Sequence, residues 1–220
     1  MGKMVEQLAR AQNFQIVSII APSLKTSISK ESLADADVCI DFTHPESVLN
    51  TIRQATRLGK NIVVGTTGWQ SRLESVKEWV EESQTGLFYA SNFSLGVNLF
   101  FKTVEKAAEL FLSDGNPYDV AGLEIHHNQK IDAPSGTALE LQAAIACAAD
   151  REPESIPFSS IRCGSVPGTH TVYFDGPADT ITLTHQARSR NDFAQGALTA
   201  AKWMQGKKGV YTMEDLICRN

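Results

Sequence analysis

The feature that most limits what this chain can fold into is a repeated alternation, between Asp37 and Tyr89, of short β-branched runs with longer amphipathic ones. Asp37 to Phe42 reads as a strand that stops at Thr43-His44-Pro45, where proline favours a helix start. Glu46 to Leu58 is helical in pattern and Gly59 ends it. Asn61 to Val64 is a β-branched strand that runs into Gly65-Thr66-Thr67-Gly68. Gln70 to Ser83 is amphipathic, and Gly86 to Tyr89 is strand again. Strands and helices that alternate through short turns form a parallel sheet with helices on its faces. Ahead of this block, Val5, Leu8 and Ala9 fall at helical spacing, and Phe14 to Ile20 is expected to be a further buried strand.

From Val97 onward the pattern changes. A long helix is expected to Leu112, a strand from Asp119 to Ile125, and an Ala-rich helix from Ser135 to Asp150. Short alternating stretches follow around Ser159–Ile161, His170–Phe174 and Thr180–Ala187, and their period-2 pattern predicts antiparallel pairing. A helix from Phe193 to Gln205 and the segment Val210 to Ile217 close the chain. The expected class is α/β. A Rossmann-like parallel-sheet domain would comprise residues 1–93 and 193–220, and an α+β domain with a mixed or antiparallel sheet residues 94–192.

Composition excludes several classes. With 220 residues, 42% hydrophobic, and a net charge of -5, the chain can bury a core but has no basic excess for a nucleic-acid backbone. Cys39, Cys147, Cys163 and Cys218 show neither zinc-ligand spacing nor a disulfide framework, which fits a reducing compartment. No apolar run approaches a membrane span and no secretory leader is visible, so a cytoplasmic location is expected.

The chemistry concentrates in Glu124-Ile125-His126-His127-Asn128-Gln129-Lys130-Ile131-Asp132-Ala133-Pro134-Ser135-Gly136-Thr137-Ala138. Here a strand delivers two histidines and a lysine to a loop that runs directly into a helix start. Amides and hydroxyls of Ser135, Gly136 and Thr137 at that start, together with Lys130, would favour a carboxylate. A histidine beside them is suited to proton donation near neutral pH. Each feature also has a plainer reading: Ser135 as a helix cap, Lys130 as solvated surface, one histidine as packing. Adjacent histidines on a strand point to opposite faces, so no metal site is assigned.

That segment resembles the signature of the dihydrodipicolinate reductases. Asp41-Phe42-Thr43-His44-Pro45, Val64-Gly65-Thr66-Thr67-Gly68, Ser91-Asn92-Phe93-Ser94-Leu95-Gly96-Val97-Asn98 and His185 through Gly196 are similar to the same family in the same order. The resemblance covers essentially the whole chain. It implies reduction of a small cyclic dicarboxylate, hydroxytetrahydrodipicolinate or its dehydrated form, by NADH or NADPH in lysine and diaminopimelate biosynthesis, within a homotetramer. It further implies that His126 donates the proton, Lys130 binds and polarises the substrate, His127 contacts it, and Gly136 and Thr137 hold a carboxylate beside Ser135. Gly65, Thr66, Thr67, Ala90, Ser91, Asn92 and Phe93 would line the nicotinamide nucleotide, with Gly2, Lys3 and Met4 from a glycine-rich turn.

The chain departs from the family at that turn. The family form is Gly-x-x-Gly-Arg/Lys-Met-Gly after a first strand, whereas Gly2-Lys3-Met4-Val5 matches only its tail. The expectation is a cofactor domain truncated at its amino-terminal side. Ala21-Pro22 stand where a charged residue commonly selects the adenosine ribose, with Lys25 a candidate phosphate partner. Two other classes remain in view: a non-catalytic scaffold, and another two-domain dehydrogenase acting on an amino-acid semialdehyde. The latter would want a catalytic cysteine after a strand, and neither Cys39 nor Cys163 has that setting.

Overall fold

The computed structural model describes residues 1–21, 24 and 26–218. Pro22 and Lys25, named above for cofactor selection, lie outside the described residues. The chain divides into two compact units, Met1–Leu95 with Asn191–Asn220, and Gly96–Arg190. Among the described residues no helix is long and apolar enough to cross a membrane.

The first unit starts with helix α1 (Gly2–Ala11). Strands β1 (Val38–Asp41), β2 (Asn61–Val64) and β3 (Gly86–Tyr89) alternate with helices α2 (Pro45–Arg57) and α3 (Leu73–Ser83). Helix α2 starts where the sequence places proline at its first turn, and the backbone turns at Gly59 with φ +71°. The end of the chain returns as helix α6 (Asn191–Met204), strand β8 (Gly209–Tyr211) and helix α7 (Met213–Ile217). The sheet order is β1-β2-β3-β8, and all neighbours are parallel.

Both faces of this sheet are covered, which is why its strands are continuously apolar. Ile62, Val64 and Leu87 pack with Val48 and Ile52 of α2 and Val76 and Val80 of α3. Val63 and Phe88 pack on the other side with Val5 and Ala9 of α1 and Ala197, Leu198 and Ala201 of α6. Helix α6 approaches closely because residue 196 is glycine: a Cβ there would stand 1.7 Å from the carbonyl oxygen of Phe93.

Phe14 to Ile20, expected as a strand, is not one. Its residues alternate between half-buried and exposed as a strand would, and Phe14 and Ile16 pack on the α1/α6 core. A strand exists by exchanging N–H and C=O bonds with a neighbour, and no described strand pairs with this segment. β1 is instead an edge of the sheet.

The second unit contains α4 (Leu95–Phe111), β4 (Asp119–His126), α5 (Gly136–Ala148), β5 (Phe158–Arg162), β6 (Thr169–Asp175) and β7 (Thr180–Gln186). The sheet order is β5-β4-β6-β7. β4, β6 and β7 pair antiparallel, as the alternation predicts, but β5 pairs parallel to β4. The sheet is therefore mixed. The reason is the connection: α5 separates β4 from β5, and a helical crossover returns the next strand in the same direction.

Period-2 alternation along β4 puts Val120, Gly122, Glu124 and His126 on one face. At its start this face is apolar, with Val120 beside Phe174 and a core that includes Val172, Val104, Leu141 and Ile145. At its end it is polar, because Glu124 is paired across the sheet with Ser160 and His170, and His126 with Arg162. The same strand thus runs from core to site.

Candidate active site

Glu124 organises the polar end of the second unit. It is fully buried, and its Oε1 accepts from the backbone N–H of Ser135 (3.0 Å), the hydroxyl of Ser160 (2.7 Å) and Nη2 of Arg162 (3.1 Å). Burial pushes the carboxyl upward, but the hydrogen bonds from Ser135, Ser160 and Arg162 overcome it and hold the pKa at about 2. Glu124 is therefore an anion at neutral pH. Its other oxygen, Oε2, lies 3.2 Å from Nδ1 of His126 and 3.5 Å from Nε2 of His170.

His126 is 8% exposed, with its ring 5.1 Å from that of His170. Burial lowers its pKa from the usual histidine value, the Glu124 charge pulls the other way, and Lys130, Arg162 and His127 add to the lowering. In His170 burial dominates and brings the pKa to about 4, so this ring is neutral near pH 7. Nε2 of His170 also stands 3.2 Å from the Ser135 hydroxyl.

The loop after β4 is pinned to this centre. Arg162 donates from Nε to the carbonyl of Lys130 (3.3 Å) and from Nη2 to that of Asp132 (2.6 Å). Nζ of Lys130 sits 2.9 Å from both carboxylate oxygens of Asp132, a carboxylate that is itself mostly exposed. His127 follows the strand end and is half-buried. Ser135 is the N-cap of α5, its Oγ accepting from the N–H of Ala138 (3.2 Å). Its hydroxyl and its amide are thus both used inside the protein. Gly136 is exposed and opens the first turn of α5, where N–H groups have no helical carbonyl to bond, followed by Thr137.

One ligand atom each from Glu124, His126 and His170 falls within 4.8 Å of the others. The Arg162 guanidinium against the same carboxylate opposes a dication, and three donors already occupy Oε1, so the trio is an electrostatic network and no metal is assigned. Sequence reasoning missed Ser160, Arg162 and His170 as members of this network. Only the common face of Glu124 and His126, two residues apart on one strand, was available as a signal.

The nucleotide-binding candidates belong to the first unit. Met1, Phe42, Thr43, Pro45, Gly65, Thr66 and Thr67 line a cleft of about 250 Å³ beyond the carboxyl ends of β1 and β2. The Thr66 hydroxyl is buried and donates to Asp41 Oδ1 at 2.7 Å, and the Trp69 indole donates to the Thr66 carbonyl at 2.8 Å. The loop is therefore fixed from below, and residue 65 is glycine because a Cβ would overlap the Phe42 ring at 2.0 Å. Gly2, Lys3 and Met4 form the first turn of α1; the Met4 amide donates to the Met1 carbonyl at 2.8 Å, whereas those of Gly2 and Lys3 have no preceding turn of helix to bond. Ala90 is half-buried, and Ser91 and Asn92 lie between it and Phe93 in the turn after β3. Phe93 is buried against Phe42 and Phe88, so its side chain is packing.

Comparison with known proteins matches both units. Residues 1–93 fit the family described as dihydrodipicolinate reductase, N-terminus, and residues 96–217 its C-terminus. The 4-hydroxy-tetrahydrodipicolinate reductase of Lawsonia intracellularis is 36% identical over 249 residues, covering 99% of this chain and 95% of that protein. That of Ralstonia pickettii is 40% identical over 205 residues, covering 86% and 76%. A dipicolinate-bound dihydrodipicolinate reductase from Paenisporosarcina sp. TG-14 shares the fold, with a TM-score of 0.82 at 24% identity over 98% of this chain and 94% of that one. With both of its units matched and identity sustained over nearly the whole length, the chain belongs to the dihydrodipicolinate reductase family.

Proposed function

We propose that this protein reduces 4-hydroxy-tetrahydrodipicolinate, or its dehydrated form, to tetrahydrodipicolinate in lysine and diaminopimelate biosynthesis, with NADH or NADPH as reductant, in the cytoplasm. The observation that carries the reading is the β4–loop–α5 segment, which presents a buried histidine, a lysine and a helix N-terminus from one continuous stretch. Two carboxylates on a small ring need that combination of cation and amides.

The nucleotide-binding domain, taken as residues 1–93 and 193–220 within the first unit, fits a nicotinamide nucleotide. Its cleft combines the start of α1 with the Gly65–Thr67 loop, a setting in which helix amides favour phosphate. Gly2, Lys3, Met4, Gly65, Thr66, Thr67 and the backbone of Ala90, Ser91, Asn92 and Phe93 would hold it. When bound, the nucleotide supplies the hydride.

The substrate domain, taken as residues 94–192 and built on the second unit, handles substrate and proton. Lys130 leaves its Asp132 partner for a substrate carboxylate, and Gly136 and Thr137 bind a carboxylate through the α5 start. Ser135 fixes that start and does not itself bind, and His127 orients the ring. His126 delivers the proton. Burial favours its neutral form, and a dianionic substrate shifts it toward the imidazolium that can donate. The sheet face opposite α5 carries Ala121, Leu123, Ile125, Ile161 and Tyr173, consistent with assembly as a homotetramer through that face. The test is oxidation of NADH or NADPH by purified protein supplied with 4-hydroxy-tetrahydrodipicolinate. Formation of tetrahydrodipicolinate is expected; no turnover with either cofactor at saturating substrate overturns the reading.

A further inference from the structure

We infer that Glu124 is the positioning residue for His126: its Oε2 holds the neutral ring as the Nδ1–H tautomer and leaves Nε2 as the atom that takes up and delivers the proton. This rests on His126 being the proton donor proposed above. The two carboxylate oxygens of Glu124 have different surroundings. Oε1 is saturated by Ser135, Ser160 and Arg162, which fixes the plane and the ionised state of the group. Oε2 is buried and makes no aligned hydrogen bond, and the same holds for Nδ1 of His126, which faces it at 3.2 Å. A buried anionic oxygen and a buried ring nitrogen without partners are each costly, and a small ring rotation that aligns them removes both penalties. Only the tautomer with hydrogen on Nδ1 can do so, because a carboxylate anion has no proton to give.

The opposite edge of the ring has been left room. Residue 168 is a glycine at φ +154°, and a Cβ there would stand 3.0 Å from Nε2 of His126. His170 is engaged elsewhere, since its Nε2 is nearer the Ser135 hydroxyl, at 3.2 Å, than Oε2 of Glu124, at 3.5 Å. In the reaction the Nε2–H bond of the imidazolium breaks and its proton goes to the ring carbanion left by hydride addition. The histidine returns to the Nδ1–H neutral form, and solvent supplies the next proton to Nε2. Glu124 stays ionised throughout and stabilises the cation, opposed by Lys130, His127, Arg162 and His170, the other groups that face the ring.

The experiment has two readouts on the whole protein. Nitrogen-15 NMR of histidine-labelled wild type, with His126 assigned by its loss in His126→Gln, should show the Nδ1–H tautomer at a pH where the ring is neutral. Observation of the Nε2–H tautomer overturns the inference. The pH profile of kcat/KM in Glu124→Gln, which keeps an acceptor for Ser135 and Ser160, should lose its acidic group at a pH about one unit or more below wild type. Activity near pH 7 then falls about tenfold for each unit. The Kd for pyridine-2,6-dicarboxylate, read by calorimetry, should change less than about threefold, since the α5 start and Lys130 remain. An unmoved pH profile with a large loss of dicarboxylate affinity would mean that Glu124 only braces the loop. If the proposed reaction itself is wrong, wild type shows no turnover while the tautomer measurement still stands.

Discussion

Replacing His170 with glutamine isolates a pH-dependent part of the stability of the second unit. His170 is 4% exposed and its folded pKa is about 4, against 6.5 for a free histidine. Burial in a neutral form is the main cause, and the neighbouring His126 adds to it. The folded state therefore binds this proton less readily than the unfolded state. Above about pH 6.5 neither state is protonated and the group makes no difference; as pH falls below that, the unfolded state gains the proton first and the fold is progressively destabilised. At about 1.4 kcal/mol per pH unit the full loss is about 3 kcal/mol by pH 4, of which about 2 kcal/mol is reached by pH 5. Glutamine can offer an amide to Ser135 and Glu124 but cannot titrate, so the variant should lack this slope. The stability gap between wild type and His170→Gln should then shift by about 2 kcal/mol, in favour of the variant, between pH 7.5 and pH 5. Trp69, Trp79 and Trp203 all belong to the first unit, so tryptophan fluorescence is the wrong probe. Hydrogen exchange of peptides covering β4 and β6, measured across the pH range, reads the unit that contains the group. Parallel pH dependences for wild type and variant would refute the assignment of His170 as a buried neutral histidine.

Three further outcomes are expected. His126→Gln should lower kcat by about 10²-fold or more with the fold intact by circular dichroism, and full activity in the folded variant would remove His126 from proton transfer. Lys130→Ala and Thr137→Val should each weaken pyridine-2,6-dicarboxylate binding by about 1.5–3 kcal/mol, with cofactor affinity little changed, both read by calorimetry. Gly196→Ala should destabilise the first unit by about 1–3 kcal/mol or more in urea titrations followed by tryptophan fluorescence, because its methyl would collide with the Phe93 carbonyl and α6 must move off the sheet.

The elements of both units were legible wherever a segment carried its own period. Asn61–Val64 and Gly86–Tyr89 form strands where the β-branched and aromatic runs stand, and the long helix from Leu95 follows its apolar stripe. Phe14 to Ile20 has an equally clear pattern and is not a strand, since a strand needs a partner and the pattern of one segment cannot supply it. β5 was expected antiparallel because alternation reports which face a residue takes, not the direction of the neighbour; the crossover through α5 decides that.

The same division runs through the site. Reading along the chain was enough for the members that lie close together in it: His126, Lys130 and the start of α5, joined by one loop and readable as proton donor, cation and anion-binding amides. It also determined that Glu124 shares a face with His126, because two residues are one period of a strand. What those residues do to each other depends on the folded molecule. Registry across the sheet brings Ser160, Arg162 and His170 to Glu124, and the lysine lies against Asp132. Burial of that centre then sets which groups are charged. Such pairings depend on contacts between strands distant in sequence and on the loss of water around them, and neither quantity is encoded in local periodicity.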